Sequence, residues 1–305
     1  MTRHFIELSD LGAHGLISVL DAADRWQATR GHADARRPLA GKSVALIFEK
    51  ASTRTRLSLE VAVAEMGGHP IVLSSQGSQL GRGEPIADTA RVLSRMVHAV
   101  TIRTFEHTRL LELARESSVP ILNALTDHSH PMQLLADLQT IRRRKPNLQE
   151  LSYAWIGDGN NMANSWIEAA GLLGLRLTLA CPEGYDPDAT ELARARQRGA
   201  SVRIVRDVKQ AAEAADVIST DVFASMGQEQ EQAARVLAFA GFCVTREVVA
   251  RAARDVIVLH CLPAHRGEEI SADVIDGPHS HVWDQAEARL HTAKAALEWA
   301  LSPDD

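Results

Sequence analysis

Short apolar runs rich in β-branched residues alternate, through most of the chain, with longer stretches of helical period, and this restricts the fold more than any other feature. A first series of candidate strands covers 43–48, 71–73, 99–102 and 120–123. A second covers 151–156, 175–180, 202–205, 216–219 and 256–259. Between them, apolar residues recur at helix spacing; Ile86, Ala90, Leu93 and Val97 fall on one helix face. Strands separated by helices pair in parallel, and parallel sheets are covered by helices on both faces. The expectation is an α/β protein of two lobes, each a parallel sheet flanked by helices.

The two series are divided by a helical stretch, 131–144, that ends at Lys145-Pro146-Asn147, where proline disfavours further helix. The predicted lobes are therefore 1–145 and 146–284, with a C-terminal helical segment, 285–305, returning to the first. A chain of 305 residues is long enough for two such cores. Ligands of open α/β sheets bind beyond the carboxyl ends of strands. The site is accordingly expected in the cleft between the lobes.

Composition excludes several classes. Hydrophobic residues make up 45% and charged residues 24%, an ordinary balance for a soluble globular protein. The formal net charge of -6 and a longest basic run of only Arg142-Arg143-Arg144-Lys145 argue against nucleic-acid binding. No apolar run reaches eighteen residues, so no membrane span is expected, and the N-terminus does not read as a signal peptide. Cys181, Cys243 and Cys261 lie far apart with no CxxC spacing, which reads as reduced thiols rather than disulfides or a zinc site. Cytoplasmic location is the default expectation.

The strongest chemical signal follows the first strand. Glu49-Lys50-Ala51-Ser52-Thr53-Arg54-Thr55-Arg56 leads into a helix with Leu57, Val61 and Ala64 on one face. Ser52 or Thr53 is a natural N-cap. A helix N-terminus presents amide N–H groups and positive dipole, and here it adds hydroxyls and guanidiniums, the elements of a phosphate cradle. A capped helix with solvated arginines is the bland alternative. Arginine in a first turn opposes the helix dipole, which favours the anion-binding reading.

In the second half, Gly157-Asp158-Gly159-Asn160-Asn161-Met162 follows a strand and opens a helix. It could pass for a dinucleotide turn with Glu183 as the ribose acid, and so for a dehydrogenase. It fails that fingerprint, because Met162 occupies the third glycine position and two asparagines crowd the turn.

The motif Ser52-Thr53-Arg54-Thr55-Arg56, with Glu60 downstream, resembles the carbamoyl phosphate signature of the aspartate/ornithine carbamoyltransferase superfamily. The resemblance extends over nearly the whole chain. It includes Arg103 after the third strand, His130-Pro131-Met132-Gln133 at the start of the linking helix, and Arg289 in the last helix. Three segments resemble the ornithine branch: Asn160-Asn161, Thr220 to Glu229 with its Ser225-Met226-Gly227 core, and His260-Cys261-Leu262-Pro263-Ala264-His265-Arg266. Departures are Met132, where many ornithine enzymes carry cysteine, and Phe223-Ala224, where tryptophan-threonine is common.

The resemblance implies that Ser52, Thr53, Arg54 and Thr55 hold the phosphate of carbamoyl phosphate, with Arg289. It implies that Arg103, His130 and Gln133 polarise its carbonyl. Cys261 and Leu262 would lie at the reacting groups, Cys261 positioning or deprotonating the attacking amine. Asn161, Asp221, Ser225 and Met226 would bind ornithine, with Asp221 facing the α-ammonium. Gln79, in a polar glycine-rich loop, would reach into the site of a neighbouring subunit of a homotrimer. The implied reaction is direct attack of the δ-amine on carbamoyl phosphate, giving citrulline for arginine biosynthesis, with no metal, cofactor or covalent intermediate. Another acceptor, such as putrescine, acylated ornithine or aspartate, and a non-enzymatic homologue are the remaining alternatives.

Overall fold

The computed structural model describes residues 2–50, 52–74, 83–224 and 231–302. The chain forms two compact units, residues 1–139 with 287–305, and residues 140–286.

Unit 1 is built on a four-stranded parallel sheet of β1 (Ser43–Phe48), β2 (His69–Ser74), β3 (Ala99–Arg103) and β4 (Ile121–Leu125), ordered β2-β1-β3-β4. Its helices are α1 (Gly12–Ala28), α2 (Thr53–Glu65), α3 (Ile86–Leu93), α4 (His107–Glu116) and most of α5 (Pro131–Arg142). The β-branched runs bury both pleats. Ala45, Ile47, Val100 and Ile102 pack with Ile86 and Ala90 of α3 and Leu110 and Leu113 of α4. Val44 and Leu46, on the opposite pleat, are also fully buried.

The apolar stripe on α3 outlasts its helix. The helix ends at Leu93, and Val97 reaches the same core from the following turn. The Ser94 hydroxyl bonds back to the Ala90 carbonyl, and the chain must reverse there to enter β3. Near the N-terminus, Phe5 bridges to Leu122 and pairs with the outer edge of β4. The last helix, α12 (Val282–Leu301), belongs to unit 1 from residue 287. There Trp26 Nε1 donates to Glu298 at 2.8 Å, and Lys294 is bonded to Glu65.

Unit 2 carries a five-stranded parallel sheet, β5 (Ser152–Ile156), β6 (Arg176–Ala180), β7 (Ser201–Val205), β8 (Val217–Thr220) and β9 (Ile257–His260), ordered β7-β6-β5-β8-β9. The helices are α6 (Asn161–Leu173), α7 (Ala189–Gln197), α8 (Val208–Ala212), α9 (Gln232–Ala238), α10 (Arg246–Val249) and α11 (Ala272–Ile275). Helix α6 is almost wholly buried, and its Trp166 ring lies 5.6 Å from that of Tyr153 on β5. The other face of the sheet packs Ala154, Ile156, Ile218 and Val258 against Val208 and Ala212 of α8 and Val274 of α11.

In both sheets the strand order reverses direction at one place, between β1 and β3 in the first and between β5 and β8 in the second. Such switch points open a crevice at the strand ends, where ligands can enter without blocking a crossover. The segments singled out in the sequence follow these strands.

Gly159 has a steric reason for its place in the turn after β5. A Cβ there would lie 2.2 Å from the Pro187 backbone nitrogen and 2.3 Å from the Asp186 carbonyl carbon, while its own N–H donates to Tyr185 at 2.9 Å. Gly159→Ala is expected to lower the denaturant midpoint by the equivalent of about 1–3 kcal/mol, because the clash is with backbone that cannot rotate away. An unchanged midpoint would mean that this loop yields. No helix among the described residues is long and apolar enough to cross a membrane.

Candidate active site

In unit 1, Ser52 is the N-cap of α2, its hydroxyl accepting the Thr55 N–H at 3.3 Å. Arg103 is the last residue of β3, next to β1 in the sheet. Its Nη1 donates to the buried Thr55 hydroxyl at 3.4 Å. Arg289 of α12 reaches the same hydroxyl from another side, through Nη2 at 3.0 Å. Its Nη1 donates to Gln133 Oε1 at 2.6 Å, and Gln133 in turn donates to Asp137 Oδ1 at 2.8 Å. The two guanidiniums therefore converge on the first turn of α2, where amide N–H groups and dipole already favour an anion. Glu49, just beyond β1, supports the β3 end by accepting from the Thr104 hydroxyl and from Arg109 Nε at 3.0 Å.

His130 is buried beside this cluster at the start of α5. Burial first, and then the charges of Arg289 and Arg103, hold its imidazole well below the ordinary histidine range. It stays neutral at physiological pH and can offer a hydrogen bond without adding charge. The native state resists a proton that the unfolded chain accepts below about pH 6.5, so stability is full above that pH and falls as acid is added. His130→Gln is expected to flatten the fall in urea midpoint between about pH 6.5 and 5. An identical slope in both proteins would reject that assignment.

Arg56 does not join the cluster: its Nε pairs with Glu60 at 2.7 Å along the exposed side of α2. Thr53 is exposed and Arg54 half-buried in the same turn. Met132 is buried in α5.

In unit 2, the ends of β5 and β8 meet through Asn160 and Asp221. Asn160 caps α6, accepting the N–H groups of Met162 and Ala163 at 2.9 and 3.2 Å, and its Nδ2 lies 3.4 Å from Asp221 Oδ2. Asn160 is thus bonded to Asp221, and Asn161 is the first residue of the helix, its carbonyl accepting Ser165 Oγ. The signal for Asn160 was its position, since asparagine immediately before a helix is a preferred cap. Asp221 Oδ1 accepts from Cys261 Sγ and from the Val222 N–H, at 2.9 and 2.8 Å. Burial raises the Asp221 carboxyl above the usual carboxylate range, against the pull of those hydrogen bonds.

Cys261 and Leu262 follow β9. Leu262 adopts φ +59°, a left-handed conformation that costs a branched residue of order 1–3 kcal/mol. Its N–H donates to His260 Nδ1 at 2.9 Å, so the ring proton lies on Nε2, which donates to the fully buried Glu269 at 2.9 Å. Glu269 also accepts the His265 N–H at 2.6 Å and so holds both ends of the 260–265 loop. The pairing of His260 with Glu269 has no signal in the sequence, since a carboxylate nine positions away carries no local pattern. Arg266 is tied to Asp276 on the surface, at 3.0 and 3.3 Å.

Among the described residues, two groups have donor atoms mutually within 4.8 Å, Asp221 with His260 and Cys261, and His265 with Glu268 and Glu269. In the first, both His260 nitrogens and the Cys261 thiol are engaged in the hydrogen bonds above. Gln79, Ser225 and Met226 lie outside the described residues.

These features define a two-domain α/β protein with a pair of arginines meeting at the switch point of one parallel sheet and a buried carboxylate at that of the other. The chain belongs to the aspartate/ornithine carbamoyltransferase family. Residues 3–143 match the model of that family's carbamoyl-P binding domain, and residues 149–300 match its Asp/Orn binding domain. The chain is 53% identical over 298 residues to an ornithine carbamoyltransferase of Geobacter metallireducens, covering 97% of this chain and 98% of the relative. It is 55% identical over 306 residues to one of Acidothermus cellulolyticus, covering 99% and 97%. Among solved structures, ornithine carbamoyltransferase from Pyrococcus furiosus superposes with a TM-score of 0.93 at 45% identity, covering 97% of this chain and 96% of that one.

Proposed function

We propose that the protein transfers the carbamoyl group of carbamoyl phosphate to the δ-amine of L-ornithine, releasing L-citrulline and phosphate. The observation that carries this reading is the buried Asp221 carboxylate, hydrogen-bonded to Asn160 and Cys261. It suits an acceptor bearing an ammonium group, and it would repel the second carboxylate of aspartate. The names of the full-length relatives support the same choice.

In this reading Ser52, Thr53, Arg54 and Thr55 receive the phosphate, with Arg289 held in place by Gln133. Arg103 and neutral His130 face the carbonyl oxygen, where negative charge grows as the amine attacks; fixed donors at that atom lower the barrier because they need no reorganisation. Asp221 and Asn161 bind the amino-acid end of ornithine together with Ser225 and Met226. Cys261 and Leu262 lie beside the attacking amine. An amine of this kind has a reference pKa of about 10.4, so the site must select its neutral form and activity should rise toward alkaline pH. Attack is direct, which requires sequential rather than ping-pong kinetics. A homotrimer, with Gln79 completing a neighbouring site, and a place in cytoplasmic arginine biosynthesis complete the proposal.

The test is citrulline formation from carbamoyl phosphate and ornithine, with putrescine, N-acetylornithine and aspartate as parallel acceptors. Strong preference for ornithine supports the reading. Preference for another acceptor overturns the assignment of Asp221, and inactivity with all four overturns the catalytic reading.

A further inference from the structure

Arg235 lies on α9 and is 7% exposed, although nothing in the reaction above uses it. Its Nη1 donates to Asp158 Oδ2 at 2.7 Å and to the Phe223 carbonyl at 3.0 Å, and its Nε donates to Glu231 at 3.0 Å. The guanidinium also lies over the Tyr185 ring, 5.1 Å from its centroid. Asp158 sits in the turn after β5, on the way to Asn160. Phe223 sits just beyond Asp221, after β8. One guanidinium thus spans the two strand ends whose side chains meet at the Asn160–Asp221 contact.

We propose that Arg235 is a positioning residue for the acceptor, setting Asp221 against Asn160 by clamping Asp158 to the Phe223 carbonyl. The proposal rests on the acceptor role assigned to Asp221 above. Two further features support it. Phe223 stacks on Phe239 with ring centroids 4.5 Å apart, and Phe239 caps α9, so the helix carrying Arg235 also carries the aromatic seat of the clamped segment. Asp158 is buried, and burial raises its carboxyl while Arg235 pulls it back and the charge of Asp221 raises it further. Without Arg235, two carboxylates would face each other near the acceptor contact with less to neutralise them, and the strand ends would move apart. Lysine would keep the charge, but its single ammonium lacks the separate Nε donor that Arg235 directs at Glu231 while Nη1 meets the two clamped oxygens.

The experiment compares Arg235→Met and Arg235→Lys with the wild type, in initial rates with each substrate varied and in amide hydrogen exchange. Arg235→Met should raise the ornithine KM roughly tenfold or more, as expected for residues coupled in one network, and leave the carbamoyl phosphate KM within about twofold. Arg235→Lys should recover part of the loss. Exchange should quicken in peptides covering 157–160 and 221–224, while β6 and the C-terminal half of α6 keep their protection. An unchanged ornithine KM with unchanged exchange overturns the proposal, as does an equal rise in both KM values. Should Arg235→Met fail to fold, Asp158→Asn releases the clamp from its other end and is judged by the same criteria. If the wild type forms no citrulline, the proposed function fails, yet exchange at 157–160 and 221–224 still decides the clamp.

Discussion

Arg289→Met is expected to lower kcat/KM for carbamoyl phosphate by about 10²–10³-fold, the loss typical of removing one preorganised donor from a developing negative charge. The side chain is nearly buried and bridges Thr55 and Gln133, so its removal also takes the donor from Gln133 Oε1 and leaves the Thr55 hydroxyl with the longer bond from Arg103. Lysine should rescue poorly, because a single ammonium cannot reproduce bonds at 3.0 and 2.6 Å in two directions. A second readout separates this from general damage. The Arg289 charge helps to hold His130 low, so the His130 titration followed by NMR should move upward in the variant. A loss below about fivefold, with an unmoved His130, would show that Arg289 braces the fold without serving the anion.

Asp221→Asn is expected to lower kcat/KM for ornithine by about 10²–10³-fold, since breaking a buried charge pair costs about 2–5 kcal/mol. The carbamoyl phosphate KM should change little. Stability should move the opposite way. The Asp221 carboxyl is raised in the native state, so the folded protein keeps its proton to a higher pH than the unfolded chain does. Its contribution is therefore unfavourable at neutral pH and vanishes as pH falls below the unfolded value near 3.9. The variant should melt at higher temperature than the wild type at pH 8, with the gap closing toward pH 4. Sites that hold a ligand charge commonly give up stability in this way. A variant that melts lower at pH 8 yet retains acceptor turnover would reverse the assignment.

The secondary structure was legible wherever a segment buried both its faces. Ser43–Phe48 forms β1 with the bounds that its continuous apolar run predicts, and the remaining strands fall within a few residues of theirs. Ends were less legible. Val97 continues the helical spacing of Ile86, Ala90 and Leu93, yet α3 stops at Leu93; periodicity records which side chains reach the core, not whether the backbone between them is helical. Gly159 shows a related limit. Its role depends on residues 185–187 pressing against it, and no pattern in the turn itself records that approach.

The candidate site divides in the same way. Local sequence was enough to place Ser52 before a helix and to mark the arginines after it as out of keeping with the helix dipole, because capping and dipole effects act within one turn. Arg103, His130, Gln133 and Arg289 could be named only through resemblance. The meeting of Arg103 and Arg289 at Thr55, with Gln133 joined through Arg289, is a property of the fold, which draws them from β3, α5 and α12 to the first turn of α2.

Nothing in the chain near Arg235 points to Asp158, nor does His260 point to Glu269, until the strands bring them together. The sequence by itself determined the α/β alternation, the parallel strands and the chemical character of the loops, since these follow from short-range periodicity and residue type. Only the tertiary structure decided that Asn160 meets Asp221, which arginine braces the strand ends and which histidine stays neutral. Those outcomes depend on burial and on distances of a few ångströms between residues far apart in the chain.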